Sequence, residues 1–336
     1  MNYAVVGTGY WGSNHVRVGA ELRDAGEIDE LVVCDVDEAR AAEMAAEFDA
    51  EYVTDVGALP GRVDAATVAT PSPTHHGVGT DLLSSGVDIM VEKPLTLDAQ
   101  NAWDLVETAE RYGRTLGVGH IFRHHPLVTD LKRRIDAGEF GEIRYLWTNR
   151  FALREPRRGA GVLYSVAVHD VDLYGYLLDA WPDNIGCRLD SFVRDDIDET
   201  ASLSLGYGET TGVISASWQV PVFGKSRELV VVGSERAARI DYLENEHYET
   251  FSLDPETGAE EGTETITVEP VEPLKAEVVD FLDATKSARH PKADGRVGAA
   301  AVELLEVATR ADATGRRLST SRTEGNGATV RRCSQP

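Results

Sequence analysis

The chain has 336 residues and a formal net charge of −24 at pH 7, from 57 acidic and 33 basic residues. A surface of this charge repels nucleic acid and anionic membranes, so we expect neither as a partner. The length is sufficient for two domains.

The basic residues are 27 arginines and only six lysines. An acid-rich, lysine-poor surface suits high salt, where charge repulsion is screened, and predicts a halophilic protein. The three cysteines, Cys34, Cys187 and Cys333, lack metal-ligand or CxxC spacing. The chain opens directly on an apolar strand and has no stretch of ~18 apolar residues, so we expect a cytoplasmic protein.

The N-terminal apolar run, residues 3–6, leads into Gly7-Thr-Gly-Tyr-Trp-Gly12 and a helical segment at 13–23. A strand, GxGxxG and a helix in this order form the dinucleotide-binding fingerprint. Gly7 permits the tight turn, Gly9 lets the backbone approach the pyrophosphate, and Gly12 lets the helix pack on the strand. Tyr10 and Trp11 lie in the same loop and are included among the cofactor-binding candidates.

A second predicted strand, residues 31–34, ends at Asp35. A carboxylate at this point accepts hydrogen bonds from the adenosine ribose hydroxyls and repels a 2′-phosphate. No arginine or lysine follows until Arg40, so we expect NAD rather than NADP. The alternative is a structural turn followed by an aspartate that caps a helix.

A third strand, residues 65–69, stops at Thr70-Pro-Ser-Pro-Thr. Two prolines in three residues exclude a helix and predict a rigid loop that includes Pro71. His75 and His76 then begin a helix. Adjacent residues of a helix face different directions, so we do not expect these two histidines to bind one metal ion. We expect Thr70, Pro71 and His75 to form a wall against the nicotinamide.

The fourth strand, residues 87–91, stops abruptly at Glu92-Lys93-Pro94. Ligands of open α/β sheets bind beyond the carboxyl ends of the strands, which points to Lys93 as the residue around which cofactor and substrate are arranged. The alternative is a surface lysine that begins a loop. A helix (96–112) and a fifth strand (115–119) follow.

After Pro126 the pattern changes to a helix and then to long alternating or β-branched segments typical of an antiparallel sheet. Two late helices follow an acidic, turn-rich stretch at 244–273, for which we expect hairpins and a loop. The predicted strands of this half are 141–147, 201–205, 211–218 and 228–232.

Between the first of these strands and the other three, the pattern of residues 161–178 predicts one helix. Ser165, His169, Asp172 and Tyr176 have the spacing of one helical face, so an imidazole lies between a hydroxyl and a carboxylate. This arrangement orients a histidine and tunes its proton affinity near neutral pH. The alternative is a histidine that merely bonds to its own aspartate.

Just before this helix, a segment of five residues contains three arginines, Arg154, Arg157 and Arg158. Such a cluster stands out because the chain as a whole is strongly acidic. Arginine pairs with phosphate or carboxylate through a planar fork, so Arg157 and Arg158 are candidates for holding an anionic substrate. The alternative is a cluster that pairs with the acidic surface.

The ordered series of motifs resembles the glucose–fructose oxidoreductase/inositol dehydrogenase/MocA-like family. The series consists of the glycine loop, Asp35, Ala69-Thr-Pro71 with His75, Glu92-Lys-Pro94, and Gly119-His120 with Phe122-Arg123 and Pro126. The resemblance continues to about Leu318. It implies a Rossmann domain with a doubly wound parallel sheet (1–123) and a second domain with a large, mostly antiparallel open sheet (124–318), whose late helices pack back on the first domain. Residues 319–336 are rich in Ser, Thr, Arg and Gly and show no periodicity, so we expect a disordered tail there.

The resemblance also implies roles for named residues. Lys93 and His169 act on the substrate hydroxyl, with Asp172 and Ser165 as further catalytic candidates. Ser165 stands where the family has an aspartate, so Asp172 takes over, His169 works with Lys93 alone, or oxidation is impaired. The cofactor-binding set is Gly7, Gly9, Tyr10, Trp11, Gly12, Asp35, Thr70, Pro71, His75, Glu92 and Lys93, and the substrate-binding set is His120, Arg123, Arg157 and Arg158.

The function that this resemblance favours is NAD-dependent oxidation of a secondary hydroxyl on a sugar. A UDP-N-acetylhexosamine or its uronate suits the arginine-rich loop best, and inositol or a free sugar is the next candidate. Two other classes stay open: a redox-neutral NAD-dependent glycosidase or epimerase, and a non-catalytic NAD-dependent regulator. A homodimer or homotetramer is expected.

Overall fold

The computed structural model describes residues 1–156 and 159–320. The chain divides into two compact units, the first formed by Met1–Ile121 with Glu272–Val302 and the second by Phe122–Val271 with the chain from Glu303 onward.

The first unit is built on a six-stranded, entirely parallel sheet in the order β3-β2-β1-β4-β5-β6. This strand order, which reverses direction of winding at β1, is that of a Rossmann fold. The strands are β1 (Tyr3–Val6), β2 (Leu31–Cys34), β3 (Glu51–Val53), β4 (Ala65–Val68), β5 (Asp88–Val91) and β6 (Leu116–Val118), and the helices between them are α1 (Tyr10–Asp24), α2 (Glu38–Glu47), α3 (His75–Ser84) and α4 (Ala99–Tyr112).

Strands β1, β2, β4, β5 and β6 are largely buried on both faces, which is why they read as short apolar runs, whereas the edge strand β3 is mostly exposed. One face packs against apolar residues of α3 and α4, including Leu82, Leu105 and Val106. The other packs against α1, including Val16 and Leu22. Both faces are therefore covered.

The second unit is built on a nine-stranded sheet in the order β14-β13-β12-β11-β7-β10-β9-β8-β15. All neighbours pair antiparallel except β7 and β10, which are parallel. The helices are α5 (Pro126–Asp136) and α6 (Val168–Leu178), and the strands are β7 (Ile143–Ala152), β8 (Asn184–Asp190), β9 (Thr200–Tyr207), β10 (Thr210–Ser217), β11 (Lys225–Gly233), β12 (Arg236–Asp241), β13 (His247–Leu253), β14 (Glu260–Thr267) and β15 (Leu318–Ser319).

A row of buried side chains crosses five strands of this sheet. Leu203, Ile214, Thr148, Leu229 and Ile240 are successive cross-strand partners and all are buried. Helix α6 packs on β7 and β10 of the same sheet. One face of the sheet thus carries the core of the unit and supports the helix that contains the predicted catalytic histidine.

The two late helices are α7 (Pro273–Ser287) and α8 (Gly295–Thr314). Leu274, Val278 and Phe281 of α7 belong to the buried cluster on the α1 face of the parallel sheet. Residues 272–302 are therefore part of the first unit, and the first unit's initial segment ends at Ile121 rather than at 123.

The predicted tail begins one element too early. Ser319 pairs with Asn184 in β15, and the Thr320 amide donates to the Asp183 carbonyl over 3.0 Å. These backbone bonds fix the segment to the edge of the sheet although its composition has no strand pattern. Residues 321–336 lie outside the described part of the chain.

Candidate active site

The predicted cofactor residues lie at one edge of the parallel sheet. The strands β1, β2, β4, β5 and β6 run in the same direction, so the residues that follow them meet at their carboxyl ends. Backbone hydrogen bonds hold these ends in register: the Gly7 amide donates to Cys34 O over 2.7 Å and the Glu92 amide to Val68 O over 2.9 Å. Gly7, Asp35 and Glu92 therefore follow directly on β1, β2 and β5, as the sequence predicted, and their contact with a cofactor stays a prediction.

The glycine loop is tightly packed at Gly12 and has free space at Gly9. A Cβ on Gly12 would lie 1.8 Å from the Gly7 carbonyl oxygen, whereas a Cβ on Gly9 would meet no atom within 4 Å. Gly12 is thus required by the packing of α1 on the loop, and Gly9 leaves free space beside the start of the helix. Because unpaired amides at a helix start bind phosphate, the loop fits a dinucleotide pyrophosphate.

Asp35 is held firmly at the end of β2. Its Oδ2 accepts from the Thr8 amide (2.8 Å) and the Thr8 hydroxyl (2.7 Å), and its Oδ1 accepts from the Asp37 amide (2.9 Å) and Arg40 Nη2 (3.1 Å). Burial alone would raise the pKa of Asp35, but these hydrogen bonds and the Arg40 charge hold it below its usual value. A charged carboxylate therefore stands where the resemblance places the adenosine ribose.

Tyr10 and Trp11 lie at the start of α1, and their rings meet edge to face at 5.7 Å. Tyr10 is 75 % exposed and Trp11 36 % exposed. Both are available to a ligand that enters the glycine loop.

The loop after β4, which contains Thr70 and Pro71, is held in place by contacts with the His75 ring. This ring is buried, with Nε2 at 2.8 Å from Thr70 O and Nδ1 at 3.0 Å from Pro94 O. His75 thus joins the loop of Thr70 and Pro71 to the loop that follows Lys93. A direct contact between His75 and the cofactor stays a prediction.

Lys93 follows β5 and is half-buried, and its peptide bond to Pro94 is cis. Both carboxylate oxygens of the preceding residue, Glu92, have partners. Oε1 lies 2.9 Å from His15 Nε2, and Oε2 accepts a hydrogen bond from the Lys93 amide over 3.2 Å. His120, predicted to bind substrate, follows β6 and is only 1 % exposed.

In the second unit, the predicted catalytic helix is continuous but not uniform. Leu163–Ala167 is π-helical, and the α-helix begins at Val168. A π-turn changes the helical phase from that of an α-helix, so the spacing assumed in the sequence analysis does not hold before Val168. Ser165 Oγ donates to the Ala160 carbonyl over 3.1 Å, and its pairing with His169 stays a prediction.

The start of this helix is held by Asp198. Its carboxylate accepts from the Leu163 amide (2.7 Å), its carbonyl accepts from the Val162 amide (2.9 Å), and a Cβ on Gly161 would lie 1.7 Å from Asp198 Oδ1. Gly161 thus provides the close approach that lets the carboxylate cap the helix. The sequence showed the glycine but not its partner.

Arg123 and Asp172 are paired with each other. Arg123 Nε donates to Asp172 Oδ1 at 2.9 Å and Nη2 lies 2.7 Å from the same oxygen, with both side chains buried. This bidentate pair balances the charge of Asp172. The catalytic role of Asp172 and the substrate contact of Arg123 stay predictions, but each side chain has a partner that the sequence did not reveal.

His169 is half-buried and packs edge to face on Phe122, with 5.0 Å between ring centroids. The Arg150 guanidinium lies 4.1 Å from the Phe122 ring centroid and 4.7 Å from that of Tyr242. Arg150 Nε in turn donates to the buried Asp170 at 2.7 Å. One contact of the His169 ring is therefore with an aromatic side chain that packs against a buried ion pair.

Of the predicted arginine loop, Arg157 and Arg158 lie outside the described residues. Arg154 is described, and its guanidinium lies 4.9 Å from the Trp218 ring centroid. Within residues 1–156 and 159–320, no group of three or more His, Cys, Asp or Glu side chains is placed to hold a metal ion.

Sequence reasoning missed several residues of this region: His15, Arg150, Asp170, Asp198 and Tyr242. The one available signal was the position of His15, three residues after the last glycine of the loop on a predicted helix. The others contact partners 20 or more residues away, which periodicity does not reveal.

Two family models match this chain. The "Oxidoreductase family, NAD-binding Rossmann fold" model of Gfo/Idh/MocA matches residues 1–120, and the "GFO/IDH/MocA C-terminal domain" model matches residues 128–239. The chain belongs to the Gfo/Idh/MocA oxidoreductase family. It is therefore an oxidoreductase with an NAD-binding Rossmann domain.

A curated relative in this family matches nearly the full chain. UDP-N-acetylglucosamine 3-dehydrogenase from Acidithiobacillus ferrooxidans is 32% identical over 315 residues, which cover 90% of this chain and 96% of the relative. A solved structure of that enzyme superposes with a TM-score of 0.83 at 29% sequence identity and covers 93% of this chain and 98% of the other.

Other family members match less completely or at lower identity. The scyllo-inositol 2-dehydrogenase (NAD(+)) of Bacillus subtilis is 30% identical over 204 residues, 57% of this chain and 59% of the relative. A levoglucosan dehydrogenase solved with NADH and levoglucosan has a TM-score of 0.86 at 16% identity and covers 96% of this chain and 100% of the other, which shows the shared fold.

Proposed function

We propose that this Gfo/Idh/MocA oxidoreductase is an NAD-dependent dehydrogenase that oxidises a secondary hydroxyl of UDP-N-acetylglucosamine or a closely related UDP-N-acetylhexosamine. The observation that carries the proposal is the match to UDP-N-acetylglucosamine 3-dehydrogenase over 90% of this chain. The inositol dehydrogenase match covers 57% of the chain, so inositol is the second candidate.

The proposed roles follow from the chemistry of removing a hydroxyl proton and a hydride from one carbon. NAD, when bound, supplies the hydride acceptor. The Lys93 ammonium donates a hydrogen bond to the substrate oxygen and stabilises its developing negative charge. The His169 imidazole accepts the hydroxyl proton. The ion pair of Arg123 with Asp172 supports this helix, since it anchors Asp172 one turn beyond His169.

Asp35 supports NAD as the preferred cofactor. Its carboxylate is charged and fixed at the end of β2, where it accepts ribose hydroxyls and repels a 2′-phosphate. Arg40 shares Asp35 Oδ1, so its positive charge is partly balanced within the protein. We therefore propose a clear preference for NAD over NADP.

The substrate diphosphate requires positive charge in a chain of net charge −24. The arginine-rich loop at 154–158 has the residue type suited to a diphosphate, and we propose that Arg157 and Arg158 contribute to its binding. His120 is proposed as a further substrate contact on the grounds of its position after β6.

Two further properties belong to the proposal. In the part of the chain that the structure describes, no helix is long and apolar enough to span a membrane. We propose that the enzyme works in the cytoplasm, where NAD and nucleotide sugars are available, and that it assembles as a homodimer or homotetramer through the open face of its nine-stranded sheet.

The test is a panel of UDP-sugars, inositols and free sugars, each with NAD and with NADP, followed by NADH or NADPH absorbance in high KCl. The proposal predicts NADH formation that is fastest with UDP-N-acetylglucosamine or another UDP-N-acetylhexosamine. Fastest turnover of an inositol would overturn the substrate. Product formed without net NADH would indicate a redox-neutral enzyme, and NAD binding without any product would indicate a regulator.

A further inference from the structure

A histidine outside the recognised motifs is buried beside the proposed catalytic lysine. His15 lies in α1, the helix that begins at the glycine loop, and its side chain is 0% exposed. Its Nε2 is 2.9 Å from Glu92 Oε1. Since an ionised carboxylate only accepts hydrogen bonds, Nε2 carries the proton and donates it. The other ring nitrogen, Nδ1, is buried and has no hydrogen-bond partner among the described residues.

Glu92 is confined by this contact and by its other neighbours. Its second oxygen, Oε2, accepts from the Lys93 amide over 3.2 Å. A Cβ on Gly119 would lie 3.1 Å from the same oxygen, so the carboxylate already fills the space between β5 and β6. The carboxylate thus joins His15 on one side to the Lys93 backbone on the other.

The chemistry favours a charged carboxylate in this position. Burial would raise the pKa of Glu92, but the hydrogen bond from His15 and the charge of Lys93 outweigh burial and hold the pKa below its usual value. A buried carboxylate that loses such a donor either moves towards water or takes up a proton. In both cases the acceptor for the Lys93 amide is weakened.

We propose that His15 is a positioning residue for the dehydrogenase reaction: through Glu92 it fixes the backbone at Lys93, and it ties the cofactor-binding helix to the strand end that carries this lysine. The inference rests on the proposed function for the role of Lys93. Its core, the hydrogen-bonded link from His15 to the Lys93 amide, is testable without substrate.

The experiment compares His15→Phe, which keeps the ring volume without the donor, with His15→Gln, whose amide nitrogen reaches the Nε2 position. Hydrogen–deuterium exchange of the peptide that spans residues 91–95 reports the Lys93 amide, and Pro94 adds no amide of its own. Loss of a charge-assisted hydrogen bond predicts roughly tenfold faster exchange in His15→Phe and near-parental exchange in His15→Gln. We expect kcat to fall by about tenfold or more in His15→Phe while Kd for NAD changes less.

His76→Phe is the matched control. His76 also bonds to a carboxylate, with Nε2 at 2.7 Å from Asp104, but it lies on the exposed side of α3. The His76→Phe variant should therefore have parental hydrogen–deuterium exchange at residues 91–95 and parental kcat. Thermal melting of every variant confirms that it is folded.

Unchanged exchange and kcat in folded His15→Phe would overturn the inference. Equal impairment of His15→Gln and His15→Phe would also overturn it, because the role would then be one of ring packing. If the parent protein oxidises no sugar, the proposed function fails, while the exchange data still decide whether His15 holds the Lys93 backbone.

Discussion

Gly9 and Gly12 belong to one motif but meet different surroundings. Gly9 has φ −68° and ψ −166°, which alanine also adopts, and its Cβ would meet no protein atom. Gly9→Ala should therefore melt within about 2 °C of the parent yet bind NAD at least about tenfold more weakly. Gly12→Ala should instead lose about 1–3 kcal/mol of unfolding free energy, because its Cβ collides with Gly7.

Thermal melting and titration of both variants with NAD check this contrast. Parental NAD affinity in Gly9→Ala would show that the pyrophosphate does not approach the loop at Gly9. Parental stability in Gly12→Ala would show that the helix and the loop are not packed as closely as the structure has them.

His125 is a second residue whose surroundings make a prediction. Burial and the positive charge of Arg150 lower the pKa of His125 to about 4. The unfolded chain takes up a proton at this ring below about pH 6.5, while the native state stays neutral until about pH 4. The native state is therefore destabilised as the pH falls from about 6.5 to about 4, by about 2–3 kcal/mol.

His125→Phe removes this proton uptake and should show a shallower loss of stability over that pH range. Urea unfolding of parent and variant at about pH 7, 6 and 5 measures the difference. Parallel stability curves for the two proteins would show that His125 is protonated equally in the folded and unfolded states.

At the scale of the element, the Arg150–Asp170 pair connects β7 to α6, and Arg150 packs on Phe122, which in turn contacts His169. Asp170→Asn leaves the buried guanidinium without its charge partner, which should cost about 3–5 kcal/mol. The double variant Arg150→Met with Asp170→Leu removes both charges and should recover most of that loss.

Urea unfolding of the double variant and of its two single variants, Arg150→Met and Asp170→Leu, gives the coupling between the two residues. A double variant that is as unstable as the sum of its single changes would contradict a pairwise interaction. Slower turnover in the double variant, at near-parental stability, would show that the pair also orients the Phe122–His169 contact.

The sequence predicted the elements whose pattern is local. The strands β1 and β2 are short apolar runs that end at glycine or aspartate, and their bounds agree with the structure. Helix α4 begins at Ala99 rather than at 96, because Asp98 accepts from the Asn101 amide and caps it there. The edge strand β3 was missed because it has only three residues and is mostly exposed, so it shows no buried face. The hairpins expected at 244–273 are present as the antiparallel pair of β13 and β14, whose bounds the sequence did not give.

For the candidate site as well, the sequence predicted the features that depend on local pattern and missed those that depend on contacts distant in the chain. The positions of Asp35 and Lys93 directly after strands were predicted correctly, because the apolar runs before them end sharply, and their roles stay predictions. The partners that hold the site were not found, since Arg123 meets Asp172 across 49 residues and His15 meets Glu92 across 77. Such pairs depend on tertiary packing. The π-turn before His169 likewise has no signal in hydrophobic spacing.

At the scale of the whole molecule, the charge of −24 makes stability depend on salt. Mutual repulsion among the acidic residues opposes the compact state and is screened by added ions. We expect the melting temperature to rise by roughly 10 °C or more between about 0.1 M and about 2 M KCl. A flat response across this range would contradict the prediction of a salt-adapted protein.

The central claim is that Lys93 acts on the substrate in an NAD-dependent sugar dehydrogenase, and the turnover of Lys93→Ala tests it most directly. With UDP-N-acetylglucosamine and NAD, the variant should lose about a thousandfold or more in kcat while its Kd for NAD stays within about threefold of the parent. Lys286→Ala, which changes an exposed lysine that bonds only to the Glu27 carbonyl in the described contacts, should keep parental turnover. Turnover of Lys93→Ala within about threefold of the parent would contradict the account.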